Sequence, residues 1–426
     1  MATVAYIGEE KWEGSILTEV SSWLAIVPTI FIAVGGRIQT DTAPVAFRFT
    51  AMAEGSLGRQ LTRLVCSFII ILLISKRIRE TLTACRRSKL LLVLPVIAIA
   101  SVIWSQNPGH TLIDALNLLI TTLFAIHLQL RYPSDRIISF LNIAAFIALL
   151  LCAGSVVAFP NVGIDAYQQG AWRGVFGQRN NCAAACTLFL VVALHTYPRG
   201  IIEKLIRSSV LLLSVLFIVM SGSRTGWLLA AIAVALTYGL RFASRIRSLD
   251  RILFLLILIV PVCLSAVLVG SYFNQILSAL DKDPTLTQRT IIWAQVVPSI
   301  EKRPWLGYGY SAFWIGLNGE SMQTVLRTGW MEGQAQDGYL DILLQVGLLG
   351  LIPVVLLFLR GLGRAATLVR CNLLDASRSL AIVLLPLILL ENIGESSLML
   401  PLSLPWFFAL IALANLESCR AHSEEV

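Results

Sequence analysis

Four arginines lie where polar sequence meets strongly apolar sequence: Arg173, Arg179 in GVFGQRNN, Arg224 in SGSRTG, and Arg289 in TLTQRT. The planar guanidinium of arginine matches two phosphate oxygens at once, so these positions are suited to binding a phosphate or pyrophosphate group. A single arginine near a bilayer also extends to lipid headgroups. Four of them, beside glycines and asparagines, favour a site for a phosphorylated ligand.

The composition indicates which kind of protein must position these arginines. The 426 residues are 57% hydrophobic and 14% charged, with a mean hydropathy of +0.78, whereas soluble domains carry about 25% charged residues. Because about 20 apolar residues span a bilayer as a helix, we predict a single polytopic all-α membrane domain over residues 1–426, without a cleavable signal peptide. About twelve spans are predicted, with ten or eleven as the alternative: 18–36, 61–75, 90–104, 112–130, 137–159, 181–197, 208–222, 225–240, 252–272, 338–359, 379–397 and 400–417.

Basic loops predict the orientation of these spans. The loop KRIRETLTACRRSK after the second span holds six basic residues, and cytoplasmic loops are enriched in Lys and Arg. Every second loop is basic, which places both termini in the cytoplasm. The arginines of the first paragraph and the long loop 273–337 then lie on the external, periplasmic side.

The long loop carries a pattern of its own. Within 283–314, apolar residues recur at helical spacing and Pro304 ends the pattern, which predicts an amphipathic helix at the membrane interface. An aromatic-rich turn follows, typical of an interfacial aromatic belt, with sugar stacking as the alternative use of its rings: Trp305, Tyr308, Tyr310, Phe313 and Trp314.

Five segments in this order resemble the O-antigen ligase and polymerase superfamily, in particular its exopolysaccharide-polymerase-like branch: SVIWSQNPGHTL, GVFGQRNN, SGSRTGWL, the stretch from TLTQRT to GYGYSAFW, and QAQDGYLDILLQVGLLGL. The resemblance covers roughly residues 60–400. It implies a GT-C-like glycosyltransferase of the bacterial inner membrane that takes oligosaccharide from undecaprenyl pyrophosphate on the periplasmic face. The acceptor is another lipid-linked repeat in polymerases and lipid A-core in ligases. A chain-length regulator and a flippase are the expected partners, and no cofactor is expected.

This sequence departs from the superfamily at the position of its histidines. Gln178 replaces a histidine that is frequent in the family, and QAQDGYLD stands where HAHNGYLD is frequent. Glutamine cannot accept a proton, so Gln178, Gln336 and the adjacent Asn180 are assigned to substrate binding with the arginines. The nearest external carboxylates, Asp337 and Glu332, are the candidate bases, unless donor activation alone suffices. Asp337 is equally suited to cap the helix that follows.

Two further carboxylates, Glu391 and Glu395, lie at the top of a predicted span. Carboxylates there are costly and usually functional, so they could line the acceptor path, orient an arginine or relay protons. Cys182 and Cys186 share a helix face but lack further metal-ligating partners, so no metal site is predicted. A net charge of +8 follows mostly from the basic cytoplasmic loops and requires no nucleic acid.

The competing functional class is a transporter of polysaccharide or its lipid carrier. Transporters place polar groups near the membrane midplane, usually on broken helices in repeated halves. Here the polar motifs gather on one predicted face beside a long external loop, and the two halves of the chain show no similarity. This favours an enzyme, and the missing histidines favour a polymerase over a ligase.

Overall fold

The computed structural model describes residues 25–30, 32, 57–165, 170–245, 289–328 and 333–418. The predicted span 252–272 and most of 18–36 lie outside the described residues. Each of the ten other predicted spans overlaps a helix, because each is a continuous apolar run. The helix in the predicted span 379–397 ends at Glu391, so Glu395 lies in the turn after it. The helices are α1 (Leu57–Ser75), α2 (Ile78–Arg87), α3 (Lys89–Ala100), α4 (Pro108–Arg131), α5 (Ser134–Ala158), α6 (Pro160–Gly163), α7 (Arg179–His195), α8 (Ile201–Met220), α9 (Arg224–Ala243), α10 (Arg289–Lys302), α11 (Ser321–Thr328), α12 (Gly338–Arg370), α13 (Ala376–Glu391) and α14 (Leu404–Ser418).

Several helices are long and apolar enough to cross a bilayer. Among the described residues these are α4, α5, α9 and α12, and a fifth span results if α2 and α3, which meet at an angle of 99°, are counted together. The chain is therefore a multi-pass membrane protein with an all-α fold. The count of twelve spans stays a prediction, since α7, α13 and α14 have only 17, 16 and 15 residues, fewer than the roughly 20 that a perpendicular span needs.

Helix α7 lies at the centre of the bundle. All its residues from Cys182 to His195 are buried, and it packs against α5, α8, α9 and α13. A helix that is apolar on all sides is typical of such a central position. A small antiparallel hairpin precedes it, in which β1 (Ile164–Asp165) pairs with β2 (Ala171–Trp172). The start of α7 is thereby held at one end of the bundle.

Part of the predicted external loop is folded against the bundle. Helix α10 falls within the predicted amphipathic stretch, but its buried residues Ile292 and Val296 pack with Tyr308 and Phe313 in a small second core. The prediction of an interfacial aromatic belt is wrong for Tyr308, Tyr310 and Phe313, which are buried in the protein. Trp305 is 64% exposed and keeps the predicted surface position.

Helix α12 is broken at Gly347, where the segment 304–309 packs against it. Gly347 has φ 62° and ψ −159°, a conformation that is essentially restricted to glycine. The break frees backbone groups of α12, and the adjoining segment replaces the lost helical hydrogen bonds. The four bonds run from Tyr308 N to Leu344 O (2.8 Å), Gly309 N to Gln345 O (2.8 Å), Leu348 N to Pro304 O (2.8 Å) and Leu349 N to Trp305 O (3.1 Å).

We expect Gly347→Ala to destabilise the protein. A Cβ at this position would lie 2.3 Å from the carbonyl carbon of Trp305, and the backbone conformation alone costs a non-glycine residue about 1–3 kcal/mol. Thermal unfolding of the purified protein in detergent should show a Tm lower by several degrees. Gly363→Ala in the same helix is the matched control. Its Cβ would meet nothing within 4 Å, so it should not lower the Tm. Equal Tm values for the two variants would contradict this account of the break.

Candidate functional site

The ends of four helices meet in the group of residues that the sequence singled out. Ser223 caps the start of α9 by accepting a hydrogen bond from Gly226 N at 3.2 Å, and its hydroxyl donates to Asn180 Oδ1, in the first turn of α7, at 2.9 Å. On the other side, Gly338 N at the start of α12 donates to the Asn392 carbonyl, just after α13, at 2.9 Å. The first contact joins the starts of α7 and α9, and the second joins the start of α12 to the end of α13.

Glu395 lies between these two pairs of helix ends. Its Oε1 forms an ion pair with Arg289 Nη2 at 2.9 Å, and Arg289 Nε donates to Gln336 Oε1 at 3.2 Å. The pair is largely buried, with 15% of the Arg289 side chain and 6% of the Glu395 side chain exposed. Burial raises the pKa of Glu395, while Arg289 and the adjacent Asn180 act to lower it. Of the roles considered for Glu395, orienting an arginine is the one that the contacts support.

Arg179 and Arg224 differ from Arg289 in having no counter-charge among the described residues. Each is the first residue of a helix, α7 and α9, and within the described part of the chain neither makes a hydrogen bond or an ion pair. The Arg179 guanidinium lies over Gly222, with Nη1 3.8 Å from the place that a Cβ there would take. A helix N-terminus already carries a partial positive charge, so both positions disfavour a cation and favour an anion beside it.

Arg173 makes different contacts from those predicted. Its Nε, Nη2 and Nη1 donate to the carbonyl oxygens of Val162 (2.9 Å), Asn161 (2.9 Å) and Gly177 (3.4 Å). The guanidinium thus joins the chain before the hairpin to the turn before α7. No described contact brings Arg173 to Arg289 or Asn180. Its binding of phosphate stays a prediction, and the structure gives it a bracing role instead.

Asp337 caps helix α12. Its Oδ1 accepts hydrogen bonds from Tyr339 N and Leu340 N, both at 2.9 Å, and its own N–H donates to Ser396 Oγ at 3.1 Å. Burial raises the pKa of Asp337, and the two N–H donors act to lower it. The second oxygen, Oδ2, accepts no hydrogen bond among the described residues and is the atom that a proton-accepting role would use.

The remaining candidates are placed as follows. Gln336 adopts the left-handed conformation, with φ 55°, and its side chain holds Arg289. Gln178 is exposed at the N-cap of α7, where its side chain makes no capping bond. Glu332 lies outside the described residues.

Asn392 is a structural residue of this site that the sequence pattern did not identify. Its Oδ1 accepts from Ser397 N and Leu398 N, both at 2.9 Å, which fixes the turn that carries Glu395. A Cβ on Gly338 would lie 2.2 Å from the same oxygen, so the glycine of QAQDGYLD permits this close approach. The adjacent glutamates drew attention to the segment, but nothing in their spacing indicated the role of Asn392.

Comparison with known proteins agrees with the motifs. Residues 209–355 match the family model described as O-Antigen ligase. The predicted resemblance to the O-antigen ligase and polymerase superfamily is confirmed over this part of the chain. The matched part of this chain includes Arg224, Arg289, Gln336 and Asp337, whereas Arg179, Asn180 and Glu395 lie outside it.

One curated relative adds a link to exopolysaccharide. The chain is 30% identical over 146 residues to the exopolysaccharide production protein ExoQ of Rhizobium meliloti (strain 1021). The alignment covers 33% of this chain and 34% of ExoQ, so the chain spans about a third of the length of the relative that it matches. Both comparisons connect part of the chain to proteins of polysaccharide biosynthesis.

Proposed function

We propose that the protein polymerises undecaprenyl pyrophosphate-linked oligosaccharide repeat units into exopolysaccharide on the periplasmic face of the bacterial inner membrane. One observation carries the proposal. Among the described residues, Arg179 and Arg224 have no counter-charges at the N-termini of α7 and α9, and they lie beside the cluster of Asn180, Arg289 and the buried Glu395. This arrangement is suited to an anion with two negatively charged groups at the end of a helix bundle, such as the pyrophosphate of a membrane-bound donor.

The chemistry requires little beyond this anion site. The acceptor hydroxyl oxygen attacks the anomeric carbon of the donor sugar, and the bond from that carbon to the pyrophosphate oxygen breaks. Undecaprenyl pyrophosphate leaves with the electron pair. Arg179 and Arg224 stabilise the negative charge that develops on it, and such stabilisation is worth more where water is excluded. Because the leaving group is already a stable anion, no general acid is needed.

The proton of the acceptor hydroxyl goes to a base. Asp337 is the described candidate, with Oδ1 used for the helix cap and Oδ2 left to accept a proton, and Glu332 is the second candidate. Gln336 replaces a histidine that is frequent in the family, and its carbonyl oxygen accepts from Arg289 at 3.2 Å. It therefore serves as a positioning residue for Arg289, which in turn is paired with Glu395.

A ligase is the second candidate function, favoured by the match of residues 209–355 to the O-Antigen ligase family. It would use the same donor site but transfer the polysaccharide to lipid A-core. A transporter is less consistent with the arrangement, because the polar cluster lies at helix ends and not at the middle of the bundle.

Membranes from cells that make this protein separate the candidates. They are supplied with labelled undecaprenyl pyrophosphate-linked repeat units, with and without lipid A-core. A polymerase should yield a ladder of longer lipid-linked chains without added core, and a ligase should move label to the core. If neither product forms, while label moves across sealed vesicles, the proposed function is wrong and a transporter is supported.

The orientation is a prediction with its own test. At the end of the bundle opposite the candidate site, Arg241 and Arg207 donate to the carbonyls of Leu194 and Ala193 at the end of α7, and Arg364 lies 3.6 Å from Glu417. This basic end suits the cytoplasm.

Reporter fusions that are active only in the periplasm should be active at residue 320 and inactive at residue 365. The reverse pattern would remove a periplasmic site. A flippase that supplies the repeat units and a chain-length regulator are the partners this orientation calls for.

A further inference from the structure

A second polar cluster surrounds a buried carboxylate near the start of α4, apart from the residues around Glu395. Only 9% of the Asp114 side chain is exposed. Its Oδ2 accepts a hydrogen bond from the Ser311 hydroxyl at 2.6 Å, whereas its Oδ1 is buried and has no hydrogen-bond partner in the described structure. A buried carboxylate oxygen without a donor is costly. Asp114 therefore has capacity for a ligand that donates a hydrogen bond.

Two partly exposed basic side chains lie beside the Asp114 carboxylate, one near each oxygen. Arg63 Nη1 lies 3.9 Å from Asp114 Oδ1, and His110 Nε2 lies 3.5 Å from Oδ2. Both distances exceed the 2.7–2.9 Å of a good charge-assisted hydrogen bond. The Arg63 side chain is 33% exposed and that of His110 is 48% exposed, so either is able to turn outward. A ligand hydroxyl between them would donate to Asp114 and accept from Arg63.

The loop that supplies Ser311 is held in a strained conformation. Ser311 has φ 57°, which is unfavourable for a residue other than glycine, and such residues are frequent at ligand sites. The strain is maintained by Gln345, whose Oε1 accepts from Ser311 N at 2.9 Å, and by Thr111, whose hydroxyl donates to the Tyr310 carbonyl at 2.8 Å. These contacts fix the Ser311 hydroxyl against Asp114.

Tyr310 connects this cluster to the candidate site. Its hydroxyl donates to the carbonyl of Met399, in the segment that connects Glu395 to α14. The chain from 310 to 314 then continues to Trp314, whose Nε1 donates to Asp341 Oδ1, one turn after the Asp337 cap, at 2.7 Å. The two clusters therefore share one end of the bundle and one wall.

We propose that Arg63, His110, Asp114 and Ser311 form a binding site for hydroxyl groups of the acceptor saccharide. The inference rests on the proposed function, in which Arg179 and Arg224 hold the pyrophosphate of the donor. A carboxylate at the centre of the cluster disfavours an anion, and the Arg63 guanidinium 3.9 Å away balances its charge, so a neutral ligand fits best. A sugar hydroxyl both donates and accepts hydrogen bonds, which matches a carboxylate oxygen facing an arginine.

Binding to the full-length protein in lipid nanodiscs tests the proposal with two probes. One probe is a set of lipid-free oligosaccharides obtained by partial hydrolysis of the exopolysaccharide of the source strain. The other is undecaprenyl pyrophosphate without sugar. Asp114→Asn and Ser311→Ala should each weaken oligosaccharide binding about tenfold or more. The first removes the charged acceptor of the sugar hydroxyl, and the second removes the 2.6 Å hydrogen bond that positions this acceptor. Both variants should bind undecaprenyl pyrophosphate as the wild type does, and Arg179→Ala should show the opposite pattern.

Two further variants keep the test decisive if Asp114→Asn fails to fold. His110→Gln changes a half-exposed side chain and should also weaken oligosaccharide binding alone. Asp135→Asn removes an exposed carboxylate that pairs with Arg199 at 3.0 Å at the start of α5, and it should leave both affinities unchanged.

The outcomes separate this inference from the proposed function. Wild-type oligosaccharide binding in folded Ser311→Ala and His110→Gln would overturn the acceptor site, and so would an equal loss of both probes. If these variants lose only the oligosaccharide while Arg179→Ala still binds undecaprenyl pyrophosphate, the acceptor site stands and the assigned donor site fails.

Discussion

Arg179→Ala should lower the rate of polymer formation by about 10²–10³-fold, the usual cost of removing one preorganised donor from a developing anion. The reason lies in the absence of any counter-charge. Arg289 is neutralised by Glu395 at 2.9 Å, whereas Arg179 has no partner among the described residues and is free to stabilise pyrophosphate. Arg179→Lys keeps the charge but loses the planar fork, so it should remain strongly impaired. The measurement is polymer length and amount from lipid-linked repeat units, at matched protein abundance.

The double variant with Arg224→Ala gives a second readout. If both arginines bind the same pyrophosphate, the two losses should be clearly non-additive. Arg136→Ala, an exposed arginine in the first turn of α5 at the basic end of the bundle, is the matched control and should retain full activity. Wild-type polymer from Arg179→Ala would mean that this arginine is only a surface anchor.

The sequence predicted the helices well where a single physical signal decides them. Continuous apolar runs gave the position of α4, α5 and α9, because an apolar stretch of this length has few alternatives to a helix in lipid. The break in α12 was not predicted. GLLGLIP reads as an apolar helix, and only the packing of the segment 304–309 against Gly347 shows that its backbone leaves the helical conformation there.

The sequence predicted which residues belong to the candidate site but not which of them contact each other. Arg289 and Glu395 are 106 residues apart, and no periodicity connects them. All four arginines were predicted to bind phosphate because their sequence neighbours are similar. In the fold, Arg173 braces a hairpin and Arg289 forms an ion pair. The other two, Arg179 and Arg224, have no counter-charges within the described part of the chain. That division depends on distant carbonyl and carboxylate groups, which a sequence pattern cannot assign.

Buried aromatic residues illustrate the same limit. Tyr308, Tyr310 and Phe313 have the composition of an interfacial belt, and their sequence neighbours gave no indication of burial. In the structure α10 and the first turns of α12 cover Tyr308 and Phe313, whereas Tyr310 lies in the main core. The Tyr308 hydroxyl donates to the Ser299 carbonyl at 2.9 Å. The packing of the long loop against the bundle therefore determines that these side chains lie in the protein core and not at the lipid surface.

Asp337→Asn should lower the reaction rate strongly while leaving the stability unchanged, which would separate a general base from a helix cap. Asparagine is as good an N-cap as aspartate, so α12 should keep its start and the protein its Tm. Asparagine cannot accept a proton, and loss of a general base costs about 10²–10⁴-fold in rate. Asp375→Asn is the matched control, since Asp375 caps α13 by accepting from Arg378 N at 2.8 Å and lies away from the site.

The reaction rate of the wild-type protein should depend on pH in a direction that follows from the raised pKa of Asp337. Burial raises the pKa of Asp337, and the N–H groups of Leu340 and Tyr339 only partly oppose this. A base works in its deprotonated form, so the rate should fall as the pH drops through this pKa, at a higher pH than for an ordinary aspartate. Asp337→Asn should have a low rate without that acidic limb. Full activity in Asp337→Asn, with the same fall of the rate at low pH, would mean that Asp337 is only a helix cap. The proton would then go to Glu332 or directly to solvent, because the pyrophosphate leaving group makes a weaker base sufficient.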